Sequence, residues 1–228
     1  MADRLSIKRS GSRGGLYSTL LKNAFDRALA LDGKVSERVL DLEGMSGKNY
    51  RLFINNLIGS LPDARYLEVG CWAGSTACSA MEGNRVRMLC IDNWTEFGGP
   101  KDVFAANVQA TLSPFVEFHF LESDFRAVDY SKIGKYNCYL FDGPHERQDQ
   151  YDGLNLALPA LDDEFVFLVD DWNWVAVRDG TMEAIANVGL KIKTAIEVRT
   201  TQTNGHSEIH GKASDWHNGY FLSVLEKA

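Results

Sequence analysis

The 228-residue sequence predicts an α/β fold: a seven-stranded, mostly parallel sheet with an antiparallel terminal strand, flanked by helices. Three observations carry that expectation. From Tyr66 onward, short apolar runs alternate with stretches of helical periodicity, the pattern of strand–crossover–strand units. Runs such as CYLF (138–141) and VFLV (166–169) are apolar on both faces, as strands covered by helices on both sides must be. Acidic residues collect where those runs stop: Glu68, Asp92, Asp124, Asp142 and the pair Asp170–Asp171.

Taken in order, the apolar spacing predicts a helix over 16–31 and a second beginning near Ser36, where Glu37 favours the first turn. A third covers 49–58, and SLPD (60–63) then makes a turn. Strands follow at 66–69, 85–91, 116–121, 136–141, 164–169, 191–198 and 220–225. Helices between them cover 75–82, 101–112, 148–161 and 175–188. The last two strands are joined by a polar, aperiodic stretch (199–219), so an antiparallel hairpin is expected. That stretch is long for a structureless loop and reads as a lid or a disordered insertion. Residues 1–15 are polar, basic and glycine-rich and are expected to form a flexible tail. Residues 16–228 then make a single domain, with helical additions over 16–60.

Composition narrows the function classes. Apolar content of 45% and charged content of 24% are those of a soluble globular protein, and the net charge of −7 counts against nonspecific binding to nucleic acid or an anionic membrane. No apolar run reaches the roughly 18 residues of a membrane-spanning helix, and the first residues lack the apolar core of a signal peptide. The four cysteines (Cys71, Cys78, Cys90, Cys138) have neither zinc spacing nor scaffold density. Free thiols in a reducing, cytoplasmic location are the expectation.

The stretch YLEVGCWAGST (66–76) ends a strand in a glycine loop and opens a helix. Gly70 permits a positive φ and close ligand approach, and Gly74 lets the helix start tightly against the sheet. The G-x-x-x-G spacing is neither a P-loop nor a full dinucleotide fingerprint, which suits a cofactor without a pyrophosphate. Asp92 lies 22 residues after Gly70, at the end of the second strand, where a carboxylate can accept from ribose hydroxyls. Each acid also has a plainer reading as a helix cap or turn residue.

YLEVGCWAGST resembles the cofactor motif of class I S-adenosylmethionine-dependent methyltransferases, and CIDNW (90–94) resembles their acidic second-strand end. The resemblance implies a Rossmann-like methyltransferase fold with S-adenosylmethionine as cofactor. It implies that the loop Gly70, Trp72, Gly74 and Ser75 receives the amino-acid part, with Glu68 orienting the loop or the ammonium. Asp92 and Asn93 would serve the ribose, and Ser123, Asp124, Phe125 and Trp94 the adenine. FDGPHERQDQYDG (141–153) with FVFLVDDW (165–172) resembles the small-molecule O-methyltransferases of the macrocin and catechol type. That implies metal ligands at Asp142, Asp170 and Asp171, and a homo-oligomer. The catechol-type enzymes often carry Asp-Asn where this chain has Asp170–Asp171, and DDWNW matches no pattern closely, which leaves the acceptor open.

The chemistry is consistent with these residue types. Methyl transfer is an in-line displacement that needs alignment and an activated acceptor, and magnesium or another divalent cation held by carboxylates supplies both. Zinc fits poorly without several Cys or His ligands. His145 is the candidate general base, with Asp142 beside it; its alternative is a loop histidine that orients the following helix. Trp172 and Trp174 wall the acceptor pocket or are packing residues. The expectation is methyl transfer to a hydroxylated small molecule, with no nucleic acid or membrane partner. A noncatalytic cofactor-binding module and an NAD-dependent oxidoreductase are the alternatives.

Overall fold

The computed structural model describes residues 5–11 and 14–228. It begins with strand β1 (Ser6–Gly11) and three helices, α1 (Leu16–Leu29), the one-turn α2 (Glu37–Leu40) and α3 (Lys48–Ser60). The alternating section follows: β2 (Arg65–Val69), α4 (Ser75–Met81), β3 (Val86–Asp92), α5 (Lys101–Thr111) and β4 (Val116–Glu122). It continues through β5 (Tyr136–Phe141), α6 (Arg147–Ala157), β6 (Leu161–Val169) and α7 (Val175–Asn187), and closes with β7 (Lys191–Arg199) and β8 (Tyr220–Glu226). All eight strands form one sheet in the order β1-β7-β8-β6-β5-β2-β3-β4.

Side-chain alternation along the strands divides the core into two apolar layers. In β5, Cys138 and Leu140 face a layer with α1, α3 and α4, while Tyr139 and Phe141 face a layer with α6 and α7. Helix α1 buries Leu21, Ala24, Phe25 and Ala28, an i, i+3, i+4, i+7 stripe. Helix α4 (STACSAM) is buried throughout. Its small side chains let it lie close between α3 and the sheet.

Strand β2 pairs in parallel with β3 on one side and β5 on the other. The winding direction reverses there, which opens a crevice at the carboxyl ends of β2 and β5, where open α/β sheets bind ligands. The backbone at this switch point is tightly set. Gly70 N–H donates to Ile91 O (2.9 Å) and Asp142 N–H to Val69 O (2.9 Å).

The sheet has eight strands rather than seven, and both β8 and β1 run antiparallel to their neighbours. The extra strand lies inside the expected flexible tail. All six residues of β1 are exposed, so it is held by backbone pairing with β7 (Ser6↔Arg199 to Gly11↔Thr194) rather than by apolar burial. Residues 1–4 and 12–13 of that tail lie outside the described residues. The helix expected to reach 161 ends at Ala157, where a 3-10 turn carrying Pro159 intervenes and β6 starts early.

The 199–219 stretch is not a disordered insertion, and apart from a 3-10 turn at Gly211–Ala213 it holds no regular element. Helix α3 has no side-chain cap on its Gly47 end. The loop supplies one instead: Lys48 and Asn49 N–H groups donate to Ser214 O (2.8 Å) and Asp215 O (3.0 Å). Trp216 anchors it, fully buried and stacked on Phe25 with centroids 5.1 Å apart.

Candidate active site

A cavity of about 770 Å³ occupies the crevice above β2 and β5, within the size range of small-molecule sites. One end is built by the first two strand exits. Gly70 adopts φ +83, and a Cβ there would lie 1.8 Å from the Asp142 carbonyl oxygen. Asp92 organises this end. Its Oδ2 accepts from Cys71 N–H (2.9 Å) and Trp72 N–H (2.8 Å), and its Oδ1 from Trp94 N–H (2.7 Å). About four acceptor positions exist on a carboxylate, so roughly one remains for a ligand hydroxyl. Asp92 therefore fixes the glycine loop first and faces the cavity second. Asn93, Ser123, Asp124 and Phe125 line the same end, with Trp72 held by its indole N–H on Phe97 O (3.0 Å).

The other end gathers Asp142, His145 and Asp171, each offering a ligand atom within 4.8 Å of the other two. His145 Nε2 lies 2.7 Å from Asp171 Oδ2, a close contact without hydrogen-bond alignment. Burial and the neighbouring acids push the Asp142 and Asp170 carboxyls well above their usual range. Burial also opposes ionisation of Asp171, but His145, His217 and Asn218 outweigh it and hold its carboxyl below the usual value. Asp171 has φ 55, a left-handed conformation uncommon for a residue with a Cβ. Trp72, Phe97 and His217 also have positive φ and line the cavity. Left-handed backbone at such residues costs about 1–3 kcal/mol each and clusters at functional sites.

The sequence-predicted residues divide accordingly. Gly70, Trp72, Asp92, Asn93, Ser123, Asp124, Phe125, Asp142, His145, Asp170, Asp171 and Trp174 all line the one cavity. Glu68, Gly74, Ser75, Trp94 and Trp172 do not. Glu68 is on the β2 face that looks toward α3 and is 1% exposed. Gly74 is the left-handed cap of α4. Ser75 shares a hydrogen bond with Ser46 (2.9 Å) inside the core. Trp94 packs behind the loop against Phe104, and Trp172 stacks on Phe221 (4.5 Å) with its N–H on Glu197 (3.1 Å). Asp170 lines the cavity, but its Oδ1 accepts from Asp171 N–H (2.6 Å), and the converging donor set contains His145 in its place.

Sequence reasoning missed Met45 and a wall formed by the 199–219 loop: His206, Ser207, His210, His217 and Asn218. Trp174 stands between two imidazoles, edge-on to His145 (4.6 Å) and His206 (5.0 Å). His217 accepts Gly211 N–H at Nδ1 (2.8 Å), which places the neutral ring's proton on Nε2. Burial lowers its pKa to about 4. It is therefore a neutral wall residue rather than a base. The only signal for these positions was the histidine content of the loop.

Residues 67–172, a little under half of the chain, match a family model described as a methyltransferase domain. Among curated proteins, none matches the sequence. TrmN from Thermus thermophilus is similar with a TM-score of 0.54 at 17% identity, over 90% of this chain and 52% of TrmN. The chain thus spans about half the length of TrmN. PH1948 from Pyrococcus horikoshii, a proposed RNA methyltransferase, gives 0.54 at 13%, over 92% and 99% of the two chains. The O-methyltransferase TomG from Streptomyces achromogenes, involved in tomaymycin synthesis and bound to S-adenosylmethionine, gives 0.52 at 15%, over 92% and 90%. The fold is that of the Rossmann-like, S-adenosylmethionine-dependent methyltransferases. No helix among the described residues is long and apolar enough to cross a membrane.

Proposed function

We propose that the protein transfers a methyl group from S-adenosylmethionine to a hydroxyl of a small molecule. A divalent cation between Asp142 and Asp171 would align the acceptor. The observation that carries this reading is one cavity joining the Gly70–Asp92 end to the Asp142–His145–Asp171 end. The matched methyltransferase-domain segment contains all of these residues, and TomG lends support to an oxygen acceptor.

Both absent groups suit the residues present. Among the described residues the cavity is lined by Asp92, Glu96, Asp124, Asp142, Asp170 and Asp171 and by no lysine or arginine, which favours a sulfonium and a hard cation. Asp142 and Asp171 would hold the cation, which would lower the pKa of a bound hydroxyl. The chain's own part is to orient. Trp174 and the imidazoles wall the acceptor, and the Gly70 loop holds the donor in line. His145 Nε2 is buried without a hydrogen-bond partner and is placed to take the acceptor's proton as the acceptor oxygen–methyl bond forms and the methyl–sulfur bond breaks. It serves as base only while that nitrogen is not itself a ligand. The acidic lining and the net charge of −7 favour a small acceptor over a polyanionic RNA.

The test is transfer of a labelled methyl group to a panel of phenols and sugars, with an RNA control. Asp171→Asn should lower turnover about a hundredfold or more, and chelation should do likewise. Transfer to RNA alone, or an Asp171→Asn variant as active as wild type, would overturn the reading.

A further inference from the structure

We infer that the 199–219 loop and the Asp171 carboxylate form one mechanical unit, with Asn218 as the positioning residue that couples them. The inference rests on the reading that puts Asp171 at the acceptor end of the cavity. Asn218 is 2% exposed and its amide is fully committed. Nδ2 donates to Asp171 Oδ1 (2.7 Å), and Oδ1 accepts from Ser207 N–H (3.0 Å). The Ser207 contact fixes which end of the amide is which. The same Nδ2 lies 3.3 Å from His206 Nδ1, which can accept from it. One side chain thus ties the carboxylate to two points of the wall, Ser207 and His206.

The Asp171 turn grips the loop from its own side. Asn173 accepts at Oδ1 from Thr200 N–H (3.0 Å) and Thr201 N–H (3.3 Å), and donates to Thr200 Oγ1 (2.9 Å). Backbone contacts complete the seam: Trp172 N–H to Gly219 O (3.1 Å) and Asn173 N–H to Asn218 O (2.9 Å). Few apolar side chains hold the loop between Thr201 and Ile209, so its order depends on these polar ties. An acceptor seated against His206 and His210 therefore acts on the same element that aims Asp171. By linkage, a group bound at Asp171 tightens the wall, and a well-fitting acceptor steadies Asp171.

Amide hydrogen exchange of the full chain tests this without knowledge of the acceptor. In Asn218→Ala and in Asp171→Ala, amides of 203–211 should exchange at least tenfold faster than in wild type, with the strands unchanged. Asp171→Asn keeps an oxygen that accepts from Asn218, so its loop should stay protected while methyl transfer is lost. A purely structural Asn218 would speed loop exchange in Asn218→Ala alone and not in Asp171→Ala. Titration with Mn²⁺ as the cation probe adds a second readout: about 10- to 100-fold weaker binding in Asn218→Ala. Loop exchange at wild-type rates in both alanine variants, or equal loosening in Asp171→Asn and Asp171→Ala, would overturn the coupling. Failure of wild type to bind S-adenosylmethionine, with the exchange pattern as expected, would sink the proposed reaction and leave the coupling standing.

Discussion

Gly70→Ala is expected to abolish cofactor binding and to cost on the order of 3–5 kcal/mol of stability. Two effects add. The residue sits at φ +83, where a Cβ is strained by about 1–2 kcal/mol. That Cβ would also lie 1.8 Å from the Asp142 carbonyl oxygen, so β2 and β5 must part at the point where their exits define the cavity. Asp142 would move with its carbonyl. The variant should therefore lose S-adenosylmethionine and cation binding together in calorimetric titrations, and its melting temperature should drop by about 10 °C or more. Gly134→Ala is the control. It has φ +94 but nothing within 4 Å of the added Cβ, so it should cost about 1–2 kcal/mol and leave binding intact.

Glu68→Gln is expected to stabilise the protein in alkaline solution. Burial raises the Glu68 carboxyl from its ordinary 4.5 to about 8, with the Tyr66 hydroxyl offsetting part of the rise and Asp92 adding to it. The folded chain therefore keeps a proton that the unfolded chain releases. Its contribution to stability is complete below pH 4.5 and is lost as pH rises through 8. The full loss is on the order of 5 kcal/mol. Glutamine copies the protonated shape without a charge to expel. In denaturant titrations the two proteins should agree near pH 4 and diverge up to pH 9, the variant being the more stable. The opposite contribution of His217, whose depressed pKa of about 4 makes it destabilising as pH falls below 6.5, is common to both and cancels in the difference. Curves that run parallel across the whole range would contradict a buried protonated Glu68.

The strand exits could be read in the sequence because apolar runs in a covered parallel sheet are continuous, and Asp142, Asp170 and Asp92 stand where they stop. Finer placement followed from geometry that spacing does not encode. Glu68 is inside its strand rather than beyond it, so alternation turns it toward α3 and out of the cavity. Trp172 and Trp174 look alike in the sequence, but the left-handed turn at Asp171 sends the first into the core and the second to the cavity wall. Strand β1 was illegible because it buries no side chain; backbone pairing with β7 and the exposed ion pairs of Lys8 and Arg9 hold it, and none of these leaves an apolar pattern. The histidine wall was illegible because Asn173, Asn218 and Trp216 order the loop through side chains distant in sequence from what they hold, and no periodicity marks such ties.

The cavity between the exits of β2 and β5 is expected to hold S-adenosylmethionine. Isothermal titration of the full chain with S-adenosylmethionine and S-adenosylhomocysteine, with NAD as control, tests it most directly. One site of micromolar affinity for the first two and none for NAD is the expected result. NAD binding in their place, or no binding of either sulfur compound, would contradict it.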